Sequence, residues 1–286
     1  MTTDLDLALK TLWGASRWPG FADSTVTVAH GPWQLALRRL QQLAAVHASG
    51  LVHGPHGVGK SFLVHRWSQA LPQKQYRLLR YSHSSLMGND LLRHLLALAG
   101  QKPCFRRGDN VLALQTLRRE WTPLWPVLIL EEAQDLNAAA LEELRLLTTT
   151  REDTQMPFSL VLVGDEELLP RLELGINRAL LSRLSFSLAL EPWPLEALEL
   201  YLRERLAEVG IHSSPLDPAA QSLLLQSSHG RPRTLNALLQ RSLEAAATEQ
   251  RRQVSARDVQ GALDTMPWIT RPASADASGF KKAPAV

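Results

Sequence analysis

The chemistry in this chain is concentrated at Gly54-Pro55-His56-Gly57-Val58-Gly59-Lys60-Ser61. A glycine, four residues and then Gly-Lys-Ser is the spacing of a loop that cradles phosphates. Glycines at 54, 57 and 59 permit backbone angles that a Cβ forbids, so successive N–H groups can turn inward around an anion. A helix opening near Lys60 adds the positive end of its dipole. Lys60 would reach the β- and γ-phosphates, and the Ser61 hydroxyl would sit on Mg²⁺. Gly54 to Ser61, with Phe62 following, are the candidate nucleotide-binding residues, and they imply a nucleotide's phosphates with Mg²⁺.

A bound triphosphate also needs one acid to hold the metal and one to activate water. Both should stand at the carboxyl ends of strands beside the loop. Pro126-Val127-Leu128-Ile129-Leu130 runs straight into Glu131-Glu132. Glu131 would hold Mg²⁺ through water, and Glu132 would orient and polarise the attacking water. Asp165 closes the next apolar run; it either senses the γ-phosphate or caps the following helix. Arg183 is a candidate finger for the γ-phosphate of a neighbouring subunit, with Arg178 as the alternative and a surface ion pair as the competing role. Gly230-Arg231-Pro232-Arg233 opens a later helix, from which Arg233 could couple domain closure to the nucleotide.

These residues need a scaffold, and the patterning supplies one. Leu51-Val52, Tyr76 to Tyr81, Pro126 to Leu130, Phe158 to Val163 and Leu184 to Leu190 read as strands. The third and fourth are continuously apolar, as in a buried parallel sheet. The last alternates, as an edge strand should. Helical periodicity predicts helices over 32–47, from the phosphate loop to about 71, and over 88–99, 111–120, 137–148, 166–173 and 177–183. Residues 101–110 read as a basic loop. Past Pro192 the pattern is helical only, over 195–209, 217–228, 232–248 and 255–265, with Ser255 and Asp258 capping the last. The fold class is therefore α/β, a phosphate-loop core with helices on both faces of a parallel sheet, followed by a small all-helical lid. The divisions are an N-terminal cover segment at 1–30, the core at 31–192, the lid at 193–266 and a disordered tail at 267–286 rich in Ala, Ser, Pro and Lys.

Composition narrows the setting. At 286 residues the chain can bury roughly three quarters of its unfolded surface. A net charge of +3 and a pI of about 9.2 are compatible with nucleic acid without requiring it. The single cysteine, Cys104, rules out an intrachain disulfide and argues against a thiolate zinc site. Met1 to Lys10 lacks the apolar length of a signal peptide, and no run approaches the ~20 apolar residues of a membrane helix. The expected location is cytoplasmic, with no membrane partner.

One ordered set of motifs resembles a known group. Glu132-Ala133-Gln134 after an apolar strand, Leu-Val-Leu-Val-Gly at 160–164, Ser-Arg-Leu at 182–184 and Gly-Arg-Pro-Arg-Thr-Leu-Asn at 230–236 are similar to AAA+ ATPases of the ExeA/TnsC/MuB (TniB-like) group. The resemblance covers about residues 10–266. It implies an α/β core with a helical lid, ATP bound between subunits, and ring or helical homo-oligomers. The group usually carries Asp-Glu where this chain has Glu131-Glu132, which implies slow hydrolysis here. It often has Gly-Gln-Pro-Glu-Leu where this chain has Gly164-Asp165-Glu166-Glu167-Leu168.

Secretion members of the group continue into a membrane span and a wall-binding module, and the sequence in hand carries neither. The resemblance therefore points to the TnsC branch, the regulators of DNA transposition. Such proteins polymerise on duplex DNA with ATP, mark the target and recruit a transposase, with a target-site adaptor as a further partner. DNA contact of this kind would fall to Lys102, Arg106, Arg107, Arg118 and Arg119, through phosphates and without regard to sequence. A solvated basic face is the alternative for these residues, and Lys74, Arg77 and Arg80 are second choices. The rivals are an ExeA-like secretion-assembly ATPase and a DNA scaffold locked with ATP.

Overall fold

Five short strands form one parallel sheet. The computed structural model describes residues 4–19, 31–82, 88–148 and 158–269. The strands are β1 (Gly50–His53), β2 (Tyr76–Tyr81), β3 (Trp125–Leu130), β4 (Ser159–Val163) and β5 (Phe186–Ala189), in the order β2-β3-β4-β1-β5. Every pairing is parallel. β3 and β4 sit inside the sheet because they are apolar on both faces, and β4 is buried at all five positions. β5 is an edge, as its alternation predicts: Leu188 is buried while Ser187 and Ala189 are exposed.

The register fixes what the strands present. Leu130 lies opposite Leu162, and Val163 opposite Val52. The loop after β1, the acids after β3 and Asp165 after β4 therefore leave the same carboxyl edge, where open α/β sheets bind ligands.

Two compact units divide the chain, Ala29–Pro192 and Met1–Val28 with Trp193–Val286. Helix α1 (Asp4–Trp13) belongs to the second. The first holds the sheet with α2 (Gly31–Ala45), α3 (Lys60–Ala70), α4 (Gly88–Leu98), α5 (Arg107–Glu120), α6 (Ala138–Leu147), α7 (Leu168–Glu173) and α8 (Arg178–Leu181). Leu91, Leu95, Leu141 and Leu144 of α4 and α6 bury against Leu79, Leu128 and Leu160 of the strands. Trp67 of α3 is fully buried, as are Leu63 and Val64.

The second unit adds α9 (Leu195–Glu208), α10 (Pro218–Ser227), α11 (Pro232–Thr248) and α12 (Ala256–Asp264). Leu9 and Trp18 share its core with Leu198, Leu224, Leu239 and Leu263. Trp18 Nε1 donates to Asp6 Oδ1 at 2.9 Å, and Trp13 Nε1 to Arg252 O at 2.7 Å. Ser255 and Asp258 form the expected capping box at α12. Arg251 grips Asp258 from outside with two hydrogen bonds, at 2.5 and 2.9 Å.

Two helices start elsewhere than periodicity predicts. α5 begins at Arg107 rather than 111, because its first turn is held by tertiary bonds described below. α7 begins at Leu168 rather than 166, because Asp165 Oδ1 accepts the Glu167 N–H at 2.9 Å and keeps 165–167 as a turn. The predicted segment at 20–30, the turn after Ser82 and the tail from 270 onward lie outside the described residues. Among the described residues no helix is long and apolar enough to cross a membrane.

Candidate nucleotide site

The phosphate loop is set by contacts that only glycine allows. Gly54 has φ 141°, and a Cβ there would lie 2.1 Å from Leu190 O. Leu190 N donates to His53 O at 2.8 Å, so the loop leaves β1 flush against the chain that follows β5. Gly59, at φ 100°, precedes α3 with no side-chain cap, so no side chain of its own occupies the positive helix end. Lys60 Nζ donates to Gly54 O at 2.7 Å and Pro55 O at 2.8 Å, folding the lysine across the loop it serves. Burial, and then the charge of Lys60, lowers the pKa of His53 below its ordinary value.

The acids arrive as the register requires. Glu131 is buried, and its N–H donates to Tyr81 O at 2.9 Å. Its Oε1 accepts from Arg80 Nε at 2.5 Å, while Arg80 NH1 meets Nδ1 of His65, on α3, at 2.6 Å. Glu132 is exposed and adopts φ 49°, an uncommon angle for a residue with a Cβ. Its Oε2 accepts from Gln134 Nε2 at 2.8 Å. Gln134 Oε1 in turn accepts the Asp165 N–H at 3.2 Å, and the Gln134 carbonyl accepts from Arg171 NH1. Asp165 Oδ2 lies 3.3 Å from His56 Nε2 of the phosphate loop. One amide side chain thus links the ends of β3 and β4. A Cβ at Gly164 would come within 2.8 Å of Gln134 Oε1, so the link needs glycine there. In the sequence Gln134 stands out only as part of the Glu-Ala-Gln motif, and its spacing from Glu132 is the one signal of this link.

The remaining candidates are placed as follows. Arg183 NH1 donates to Ala179 O at 2.7 Å, and Arg178 Nε to Glu173 O at 3.4 Å. Arg233 is exposed in the first turn of α11, in the helical unit. Lys102, Arg106 and Arg119 are exposed. Arg107 is bound twice to Glu143, at 2.5 and 2.8 Å. Arg118 lies over the Trp125 ring at 5.3 Å, and Arg77 over that of Trp121 at 5.6 Å. Arg80 faces inward to Glu131 rather than outward as a surface cation.

The donors suit a magnesium nucleotide. A hydroxyl at Ser61 and carboxylates at the sheet edge are hard oxygen ligands, and Mg²⁺ keeps waters and phosphate oxygens for the rest of its shell. When bound, Mg²⁺ would neutralise charge on the β- and γ-oxygens. Lys60 and the backbone of 54–60 would hold the phosphates. Glu132, exposed and hydrogen-bonded by Gln134, would be the carboxylate to take a proton from water.

Comparison with known proteins agrees with this geometry. Residues 45–172 match the AAA domain family. Over 120 residues the chain is 34% identical to general secretion pathway protein A of Aeromonas hydrophila; the match spans 42% of this chain and only 22% of that protein. Among solved structures, Cdc6p of Pyrobaculum aerophilum superposes with a TM-score of 0.72 at 16% identity, over 88% of this chain and 71% of that one. The Aeropyrum pernix ORC1 protein, solved in complex with DNA, gives 0.66 at 18% identity, over 87% and 69%. The Thermotoga maritima RuvB Holliday junction branch migration motor gives 0.52 at 21% identity, over 82% and 66%. At these identities the structures speak for the fold alone. The match over residues 45–172, the sheet order and the phosphate loop agree with one another, and the chain spans about a fifth of the length of the curated relative it matches.

Proposed function

We propose that this protein is an ATP-dependent, DNA-binding AAA+ regulator of DNA transposition. It binds ATP and Mg²⁺ through Gly54 to Phe62 with Glu131, oligomerises on duplex DNA as a ring or helical filament through sites completed by Arg183, and recruits a transposase. Glu132 activates water for slow turnover, Asp165 reads the γ-phosphate and Arg233 couples the helical unit to it.

The observation that carries the DNA reading is the loop before α5. Asn110 is fully buried; its Oδ1 accepts the Cys104 N–H at 2.7 Å, and its Nδ2 donates to Cys104 O and Asn89 Oδ1. Asn89 donates to Phe105 O at 3.3 Å. The loop is therefore pre-ordered, and it displays Phe105, 90% exposed, between Lys102 and Arg106. A rigid aromatic flanked by cations suits a polyanion whose bases offer flat faces. With Arg107, itself exposed, paired to Glu143 and Arg118 lying over Trp125, Lys102, Arg106 and Arg119 carry the phosphate contacts.

The test is fluorescence anisotropy of a labelled duplex of arbitrary sequence, with ATP and without nucleotide. Cooperative, salt-sensitive binding that needs ATP is expected. No binding in either state by an ATP-competent sample refutes the DNA reading. A second reading, a secretion-assembly ATPase acting without DNA, is favoured by the identity with general secretion pathway protein A; it would then lead. Phosphate release with and without DNA separates an active ATPase from a scaffold locked with ATP.

A further inference from the structure

The acid expected to hold the metal already has a cation. Arg80 lies in β2, in register with Ile129 of β3, and its Nε donates to Glu131 Oε1 at 2.5 Å. The Glu131 side chain is only 7% exposed, so water screens this pair weakly. An arginine cannot give up its proton or accept a hydrogen bond, so His65 Nδ1 is the acceptor of the second contact. His65 stands on α3, the helix that opens with Lys60 and Ser61. The guanidinium is therefore held at two points, by the acid and by the phosphate-loop helix.

We propose that Arg80 is the resident counter-ion of Glu131 and competes with Mg²⁺ for it, so that Arg80 sets the magnesium affinity of the nucleotide site. This rests on the reading of that site as one for a magnesium nucleotide. An arriving divalent ion meets a carboxylate already neutralised. It must displace the guanidinium or bear its repulsion. The longer glutamate side chain fits this arrangement, because an aspartate would draw the carboxylate back from Arg80 by one methylene. Arg80 thus acts as a positioning residue, through Glu131, and turns an unusual acid into a site with a high magnesium threshold.

The experiment titrates Mg²⁺ into protein holding a fluorescent, non-hydrolysable ATP analogue, for the wild type, Arg80→Gln, Arg80→Lys, Glu131→Asp and the double variant Glu131→Asp/Arg80→Gln. Affinity in EDTA should be the same within about twofold in the wild type and the two single Arg80 variants. The magnesium midpoint should fall about tenfold in R80Q, which corresponds to about 1.4 kcal/mol. It should stay near the wild-type value in R80K, which keeps the charge. In the E131D background R80Q should shift the midpoint by less than about threefold, because the pair it breaks is already loosened. A midpoint that is unchanged or raised in R80Q overturns the proposal, and so does an R80K midpoint as low as that of R80Q. Failure of the wild type to bind the analogue at all would instead sink the reading of the site.

Discussion

Substituting Gly54 by alanine tests the geometry on which the phosphate loop rests. The new Cβ would sit 2.1 Å from Leu190 O, 3.1 Å from Leu190 C and 3.3 Å from Leu190 N. All three are backbone atoms, so no side chain can swing aside. The residue would also have to hold φ 141°, which costs an L-residue about 1–3 kcal/mol. Relief requires the loop and the chain after β5 to part, weakening the Leu190 N to His53 O bond, a further loss of about 1 kcal/mol. The sum is about 3–5 kcal/mol with crowding included, a large fraction of a domain's stability. Gly261, inside α12 with nothing within 4 Å of a built Cβ, is the control. There alanine should stabilise by about 0.5–1 kcal/mol. Urea unfolding followed by tryptophan fluorescence reads both units, through buried residues such as Trp67 in one and Trp18 in the other, and fluorescent nucleotide binding reads the loop. G54A should shift the midpoint down and abolish binding. A G54A protein with the wild-type midpoint and nucleotide affinity would refute the steric argument.

Four further outcomes follow from particular contacts. Glu132→Gln should keep nucleotide affinity and lower phosphate release about 100-fold or more, whereas retained turnover counts against the assignment. Lys102→Ala with Arg106→Ala should weaken duplex binding and reduce the salt slope by about 2, and Phe105→Ala should weaken it at unchanged slope, both measured by anisotropy. Arg107→Ala should act on stability instead, costing about 1–3 kcal/mol in urea unfolding, because it strands the buried Glu143 carboxylate. Burial alone would push the Asp258 carboxyl up, but the hydrogen bonds from Arg251 and Ser255 outweigh it and hold the pKa at about 2, against 3.8 in the open chain. The folded form binds its proton last, so this stability is present above about pH 4 and fades as pH falls towards 2. Asp258→Asn should remove about 2 kcal/mol at neutral pH and flatten the melting temperature over that window.

The parts of this molecule that could be read in the sequence are those set by local pattern. β3 and β4 announced themselves because burial on both faces demands an unbroken apolar run, and β5 because an edge alternates. The phosphate loop and the carboxylates at the strand ends were legible because spacing alone fixes them. The start of α5 was not. Arg106-Arg107-Gly108-Asp109-Asn110 has the composition of a loop, and what makes its latter part helical is the grip of Glu143 on Arg107 and the burial of Asn110. The partner of Glu131 was equally hidden. Arg80 is 51 positions away and looked like one more surface cation in a half-exposed strand. Only the choice of glutamate over aspartate hinted that the carboxylate had farther to reach. The packing of α1 with the helical unit depends on contacts such as that of Trp13 with Arg252, which no window of sequence contains.

That last contact also bears on how the protein is made. Trp13 and Arg252 are 239 positions apart, with the whole α/β unit between them. At roughly 5–20 residues per second, α1 leaves the ribosome about 10–50 s before its partner helices exist. The α/β unit is continuous in sequence and can close on itself during that interval, whereas the helical unit must hold one of its pieces in waiting. Throughout that time Leu9 and Trp18, later part of a closed core, face water or a chaperone.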